Sequence, residues 1–216
     1  MDTNDSREQQ AEEEPVNADL PEITEKPAGK KTEPSGRMEL YDWVQCIVTA
    51  LIFGILLFVF VLRVVSVVGT SMYPTLCNGD RIITSNLFYT PKDGDIVVVK
   101  KASFGDEPIV KRVIATAGQT VDIDFSTGIV YVDGEALDEP YTAAPTITQE
   151  DFSGPVTVPE GCVFLMGDNR NDSTDSRSSR IGMVDTRCII GKVYLILYPG
   201  ENKSGVREFS RIGSAY

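Results

Sequence analysis

Between Trp43 and Leu62 the chain runs for 20 residues without a charge, and its clearly polar members there are only Gln45 and Thr49. At about 1.5 Å per residue, a helix of that length reaches about 30 Å, the hydrocarbon thickness of a bilayer. A buried core helix is usually shorter. A cleaved leader would have a short basic front and a small-x-small site behind the apolar run. Here the preceding segment is long and acidic, and no such site follows Leu62. The stretch reads as a transmembrane anchor over residues 41–63, with the lipid bilayer as its partner.

The flanks orient it. Lys26, Lys30, Lys31 and Arg37 precede the span; only Arg63 follows closely, and the next basic residue is Arg81. The excess of basic residues marks the cytoplasmic side, so the N-terminus is expected inside and everything after Arg63 outside. The expected location is therefore the cell membrane, single-pass, with an extracytoplasmic domain over 64–216. Trp43 and Tyr41 suit the inner interface.

Residues 1–40 are rich in Glu, Asp, Pro and Lys and poor in large apolar side chains. Such a segment buries too little surface to offset its ordering entropy and is expected to be a disordered acidic cytoplasmic tail. A docking tail is the alternative. From Met1 to Asp42 there are 12 acidic and 5 basic residues, part of a net charge of −12 for the whole chain. That balance argues against nucleic acid as a partner, since phosphate binding needs clustered Lys and Arg.

After the span, the pattern changes to short β-type runs: Ile96–Val99, Ile109–Ala115, Val121–Asp124, Ile129–Val132, Cys162–Met166 and Gly191–Leu197. Asp133-Gly134 is a strong tight-turn signal. Tyr141–Pro159 reads as a loop or small excursion. No convincing helix period appears beyond the anchor. The expected fold class is mostly β: an antiparallel β-domain preceded by one transmembrane helix and a disordered tail, with a small inserted region around 116–160.

The chain contains no histidine. That excludes a Ser-His-Asp triad, a Cys-His pair and His-containing zinc sites. Cys46, Cys77, Cys162 and Cys188 contain no Cys-x-x-Cys and make a four-cysteine zinc site a poor fit. A hydrolase built from this chain needs Lys or a carboxylate as its base.

Three stretches could carry chemistry. Ser71 lies in Gly69-Thr70-Ser71-Met72-Tyr73-Pro74-Thr75-Leu76, nine residues beyond Leu62. An extended chain covers about 3.3–3.6 Å per residue, so Ser71 stays within roughly 30 Å of the end of the span. A serine in such a stretch is commonly just a turn residue. As a nucleophile it needs a base, and without histidine the natural one is a neutral, desolvated lysine. The candidates are Lys92, Lys100, Lys101 and Lys111. Lys111 alone lies inside an apolar strand-like run, sharing a face with Ile109 and Val113; the plain alternative is a lysine snorkelling from a half-buried strand. The third stretch, Gly167-Asp168-Asn169-Arg170-Asn171-Asp172-Ser173-Thr174-Asp175-Ser176-Arg177, could be a polar network or an ordinary loop. Its spacing does not follow a calcium loop.

Together these stretches resemble the bacterial type I signal peptidases, in the compact form seen in Gram-positive bacteria. The resemblance rests on Gly69-x-Ser71-Met72-x-Pro74-Thr75-Leu76, Gly94-Asp95-Ile96-Val97, Val110-Lys111-Arg112-Val113-Ile114 and Gly167-Asp168-Asn169-Arg170-x-x-Ser173-x-Asp175-Ser176-Arg177. It covers about Trp43 to Leu197. It implies a β-domain of signal-peptidase type and a Ser–Lys dyad, with Ser71 as nucleophile and Lys111 as general base. It further implies that Ser173 orients the lysine, that Asp168 pairs with Arg112, and that Asp175 and Arg177 support the site. The oxyanion would meet the Ser71 N–H and a second donor. Gram-negative members carry a serine where this chain has Gly69, so the second donor stays open. The implied reaction removes signal peptides from secretory preproteins after small residues, Ala-x-Ala in type. No metal or organic cofactor is implied.

Overall fold

The computed structural model describes residues 36–103, 105, 107–213 and 215. The tail expected over 1–40 lies outside the described residues as far as residue 35. A single α-helix, α1, runs Gly36–Phe60. It begins before the span expected from residue 41 and ends short of residue 63. Its stretch Glu39–Val59 is long and apolar enough to cross a membrane. Every residue in that stretch is exposed, Leu51, Phe53 and Val59 by more than 60 %. An apolar helix on which no described residue packs is suited to lipid rather than to water.

Eleven strands follow. β1 (Arg63–Ser66), β2 (Arg81–Ser85), β3 (Ile96–Val99), β4 (Ile109–Thr116), β9 (Cys162–Met166), β10 (Val184–Asp185) and β11 (Ile189–Tyr198) form one antiparallel sheet in the order β1-β2-β11-β3-β4-β9-β10. β5 (Thr120–Asp124), β6 (Ile129–Val132), β7 (Glu135–Ala136) and β8 (Val156–Thr157) form a second sheet, β7-β6-β5-β8, from within the 116–160 region. All six apolar runs read from the sequence are strands. β3 is buried on both faces, which is why its four residues are all Ile or Val.

The turns follow local chemistry. Between β5 and β6, Asp124 Oδ1 accepts from the Ser126 N–H (2.9 Å) and Oδ2 from the Thr127 hydroxyl (2.8 Å). Asp133 and Gly134, with φ of 53° and 82°, make the left-handed turn that closes β6 onto β7.

β1 and β2 had no clear signal in the sequence. β1 abuts the apolar span, and β2 is Arg81-Ile82-Ile83-Thr84-Ser85, half polar. They pair from Arg63 with Thr84 to Ser66 with Arg81, and β1 forms one edge of the large sheet.

Three apolar clusters hold the domain. One, with Val121, Val130, Phe152 and Phe164, ties the small sheet to the large one; Phe152 meets Phe164 edge-on at 5.8 Å. A second gathers Val67, Met72, Leu76, Ile82, Ile96, Val193 and Ile196. The third lies around Val97, Val99, Val113, Leu165 and Ile181. Beyond β11 the chain returns to the second cluster, where Ala215 is buried. All four cysteines are free.

Candidate active site

Met72 and Leu76 fix the segment that carries Ser71. Both are buried in the second cluster, and the Leu76 N–H donates to the Met72 carbonyl at 2.9 Å. Gly69, just upstream, has φ of 95°, a conformation open to glycine and strained for other residues. Its N–H donates to Asn78 Oδ1 at 3.0 Å. With its two flanks tied down, the turn presents Ser71 half-exposed.

The polar loop after β9 grips the same turn from across the sequence. The Asn169 N–H donates to the Ser71 carbonyl (3.0 Å), and Asn169 Nδ2 donates to the Thr70 carbonyl (3.1 Å). The Thr70 hydroxyl donates to Asp172 Oδ2 at 2.8 Å. Gly167 allows this approach: a Cβ there would lie 2.5 Å from the Ser71 carbonyl oxygen and 2.2 Å from Ser173 Oγ.

Lys111 sits in β4, in register with Val97 of β3. It is 3 % exposed. Its Nζ donates to Ser71 Oγ at 2.7 Å. Burial is the main reason its pKa falls from the usual 10.5 to about 8; Arg177 lowers it further, while Asp175 and Asp168 oppose the fall. The chain thus brings together a serine hydroxyl and an amine that gives up its proton near pH 8 rather than near 10.5. The Ser71 N–H makes no hydrogen bond among the described residues, leaving it available to an oxyanion.

The next residue, Arg112, faces the other side of the strand. Its Nε and Nη2 donate to Asp168 Oδ1 and Oδ2 at 2.8 and 2.7 Å, and Nη1 donates to the Gly94 carbonyl at 2.8 Å. Both partners of this ion pair are buried. Asp175 accepts from the Gly167 N–H (3.0 Å), the Ser173 hydroxyl (3.0 Å) and, twice at 2.8 Å, from the Arg177 guanidinium. Arg177 also donates to the carbonyls of Thr148, Arg170 and Ser173. The Ser173 proton is therefore engaged with Asp175. The contact through which Ser173 would orient Lys111 is absent among the described hydrogen bonds.

Of the rival lysines, Lys92 and Lys100 are exposed, and Lys101 donates to the carbonyls of Ile181 and Met183. Sequence reading missed Thr75, whose hydroxyl donates to Asp168 Oδ2. It also missed a clamp beneath the turn. Asp80, fully buried, accepts from the Cys77 and Gly200 N–H groups and from Arg211, which also donates to the Thr75 carbonyl. Asp80 and Arg211 lie 131 residues apart, so no local pattern links them.

A groove of about 510 Å³ opens beside Ser71, lined by Val65, Val68, Met72, Pro108, Ile109 and Val110 among others. A mostly β domain that sets a serine hydroxyl against a buried lysine, beside an apolar groove and an unpaired sheet edge, has the layout of a serine-type acyl-transfer enzyme. Comparison with known proteins makes this more specific: residues 40–198 match the family described as signal peptidase, peptidase S26, and the chain belongs to that family. It is 36 % identical over 174 residues to signal peptidase I of Bacillus licheniformis, covering 74 % of this chain and 89 % of that one. It is 35 % identical over 182 residues to signal peptidase I S of Bacillus subtilis, covering 79 % and 95 %. A solved signal peptidase I from Enterococcus faecalis is 29 % identical over 48 % of this chain and 97 % of its own, with a TM-score of 0.41.

Proposed function

We propose that this chain is a membrane-anchored serine endopeptidase that removes signal peptides from secretory preproteins, with Ser71 as nucleophile and Lys111 as general base. The observation that carries this reading is the 2.7 Å contact between Ser71 Oγ and a lysine amine shielded from water. In the neutral state of Lys111 the hydroxyl turns to donate to Nζ. The amine takes its proton as Oγ attacks the scissile carbonyl, and the oxyanion meets the Ser71 N–H. The protonated amine then returns its proton to the leaving nitrogen, the new N-terminus of the mature protein. A water, deprotonated by Lys111, hydrolyses the acyl-enzyme and frees the signal peptide.

The groove and the sheet edge suit such a substrate. β1 leaves one edge unpaired, where an extended peptide can add as a further strand while its small side chains enter the apolar groove. The anchor over 41–63, with the N-terminus cytoplasmic and the domain over 64–216 outside, keeps Ser71 near the membrane surface, where an emerging signal peptide ends. Asp168 with Arg112, and Asp175 with Arg177, act as structural supports of the turn and the lysine.

The test is cleavage of a secretory preprotein by the detergent-solubilised full chain. Ser71→Ala and Lys111→Ala are expected to abolish cleavage, while Lys100→Ala, at an exposed position, retains it. Cleavage by Lys111→Ala at the wild-type rate would eliminate the lysine as base.

A further inference from the structure

Two grooves with different lining side chains adjoin the Ser71 turn. The first is lined mainly by apolar side chains, Val65, Val68, Met72 and Ile109, with Glu107 the one charged residue among them, and suits the signal-peptide side of the scissile bond. The second, of about 410 Å³, begins at Thr70 and Tyr73 and is closed by the segment from Gly200 to Lys203 together with Arg207. Polar and charged side chains, Glu201, Asn202, Lys203 and Arg207 among them, line it, although apolar atoms still make up somewhat more of the wall than polar ones. The Lys203 ammonium stands 4.3 Å from the centre of the Tyr73 ring. Lys203 itself is exposed, and the ring fixes its place. Arg207 stacks at 4.9 Å on the Tyr198 ring, and its Nε is shielded from solvent without a hydrogen-bond partner among the described residues. Two carboxylates oppose these cations: Glu201, whose side chain is 61 % exposed and 3.3 Å from Arg207, a contact of little strength, and Glu208, which accepts from Asn202 Nδ2 at 2.7 Å on the groove's wall.

A peptidase must hold its substrate on both sides of the cut, and an apolar groove is a poor host for a polar chain that is about to be released into water. We propose that the second groove binds the first residues of the mature chain and that Lys203, supported by Arg207, makes it select acidic side chains there. This rests on Ser71 being the nucleophile. Tyr73 is two residues from Ser71, and an extended peptide covers about 3.3–3.6 Å per residue. On this proposal the cation on Tyr73 meets the second and third residues after the cut. A carboxylate at either place pairs with Lys203 and can capture the Arg207 guanidinium in competition with Glu201.

The experiment uses the detergent-solubilised full chain in a neutral detergent and two peptides with one signal-side sequence. One carries Asp at the second and third positions after the cut, the other Lys. The readout is the ratio of their kcat/KM values, which a variant that merely loosens the fold does not shift. The wild type is expected to favour the Asp peptide by about fivefold, the upper end of what exposed charge pairs contribute. Lys203→Gln lowers the ratio, Lys203→Glu inverts it, and Arg187→Glu, at a side chain 88 % exposed on another part of the surface, leaves it at the wild-type value. Salt narrows it, since exposed charges are screened. A wild type that cuts both peptides with a ratio that Lys203→Glu does not change overturns the subsite alone. A wild type that cuts neither overturns the peptidase reading and the subsite with it.

Discussion

Replacing Lys111 by Met separates the chemistry of the site from its cost to the fold. Lys111 is 3 % exposed, and its pKa drops from 10.5 to about 8, chiefly through burial. At about 1.36 kcal/mol per pH unit, that drop corresponds to about 3 kcal/mol against holding the charged amine in the folded chain. Below pH 8 the lysine is protonated both folded and unfolded, so the whole penalty is in force. Between about pH 8 and 10.5 the folded lysine has released its proton while the unfolded one still holds it. The unfolded state then binds more protons, and wild-type stability rises with pH across that window. Methionine fills nearly the same volume without the charge. It loses the contact to Ser71, worth about 1 kcal/mol, and water replaces that contact at a half-exposed hydroxyl. Lys111→Met is therefore expected to be inactive and, at pH 7, more stable than wild type by about 2 kcal/mol. The advantage vanishes near pH 10, where the penalty has fallen to about 1 kcal/mol, and above that the wild type is the more stable of the two. Urea midpoints of the detergent-solubilised chain, followed by circular dichroism at several pH values, measure it. A Lys111→Met variant no more stable than wild type at pH 7, or an advantage that does not fall with pH, would refute the reasoning that a costly buried amine supplies the base.

The same ionisation sets the rate: kcat/KM for preprotein cleavage should climb about tenfold per pH unit below pH 8 and level off above it, since only neutral Lys111 accepts a proton; a plateau already reached at pH 6 contradicts this. Gly167→Ala would push a methyl against the Ser71 carbonyl oxygen, 2.5 Å from an ideal Cβ. Turnover should fall by about 100-fold, the scale of a 1 Å misplacement, with the circular dichroism of the fold retained. Asp168→Ala strands the buried Arg112 guanidinium. It should cost about 3–5 kcal/mol in urea, and pairing it with Arg112→Met should recover most of that loss.

The strand runs were legible because each is a short apolar segment closed by Gly, Pro or Asp, and the one long uncharged stretch could be little other than a membrane-length helix. β1 and β2 were not legible, because edge and half-polar strands owe their state to the partner they pair with rather than to their own pattern. The pairing of Asp168 with Arg112 was expected from a family resemblance, and the 2.7–2.8 Å bidentate contact is present. The link from Ser173 to Lys111 was expected in the same way; the Ser173 proton goes to Asp175, its lone pairs stay available to the lysine, and no hydrogen bond between the two is found among the described residues. Choosing among hydroxyl partners is a matter of tenths of an ångström, which residue order does not encode.

By itself, the sequence determined which chemistry was possible. The absence of histidine left a lysine or a carboxylate as the candidate base, and the interior position of Lys111 in an apolar run marked it out from Lys92, Lys100 and Lys101. Only the tertiary structure decided that this lysine is dry, that it reaches Ser71, and that Asp80 and Arg211, 131 residues apart, tie the Ser71 turn to the end of the chain. The physical reason is that residue type and spacing fix local geometry, whereas desolvation and hydrogen bonding depend on which distant segments close around a group once the sheets have packed.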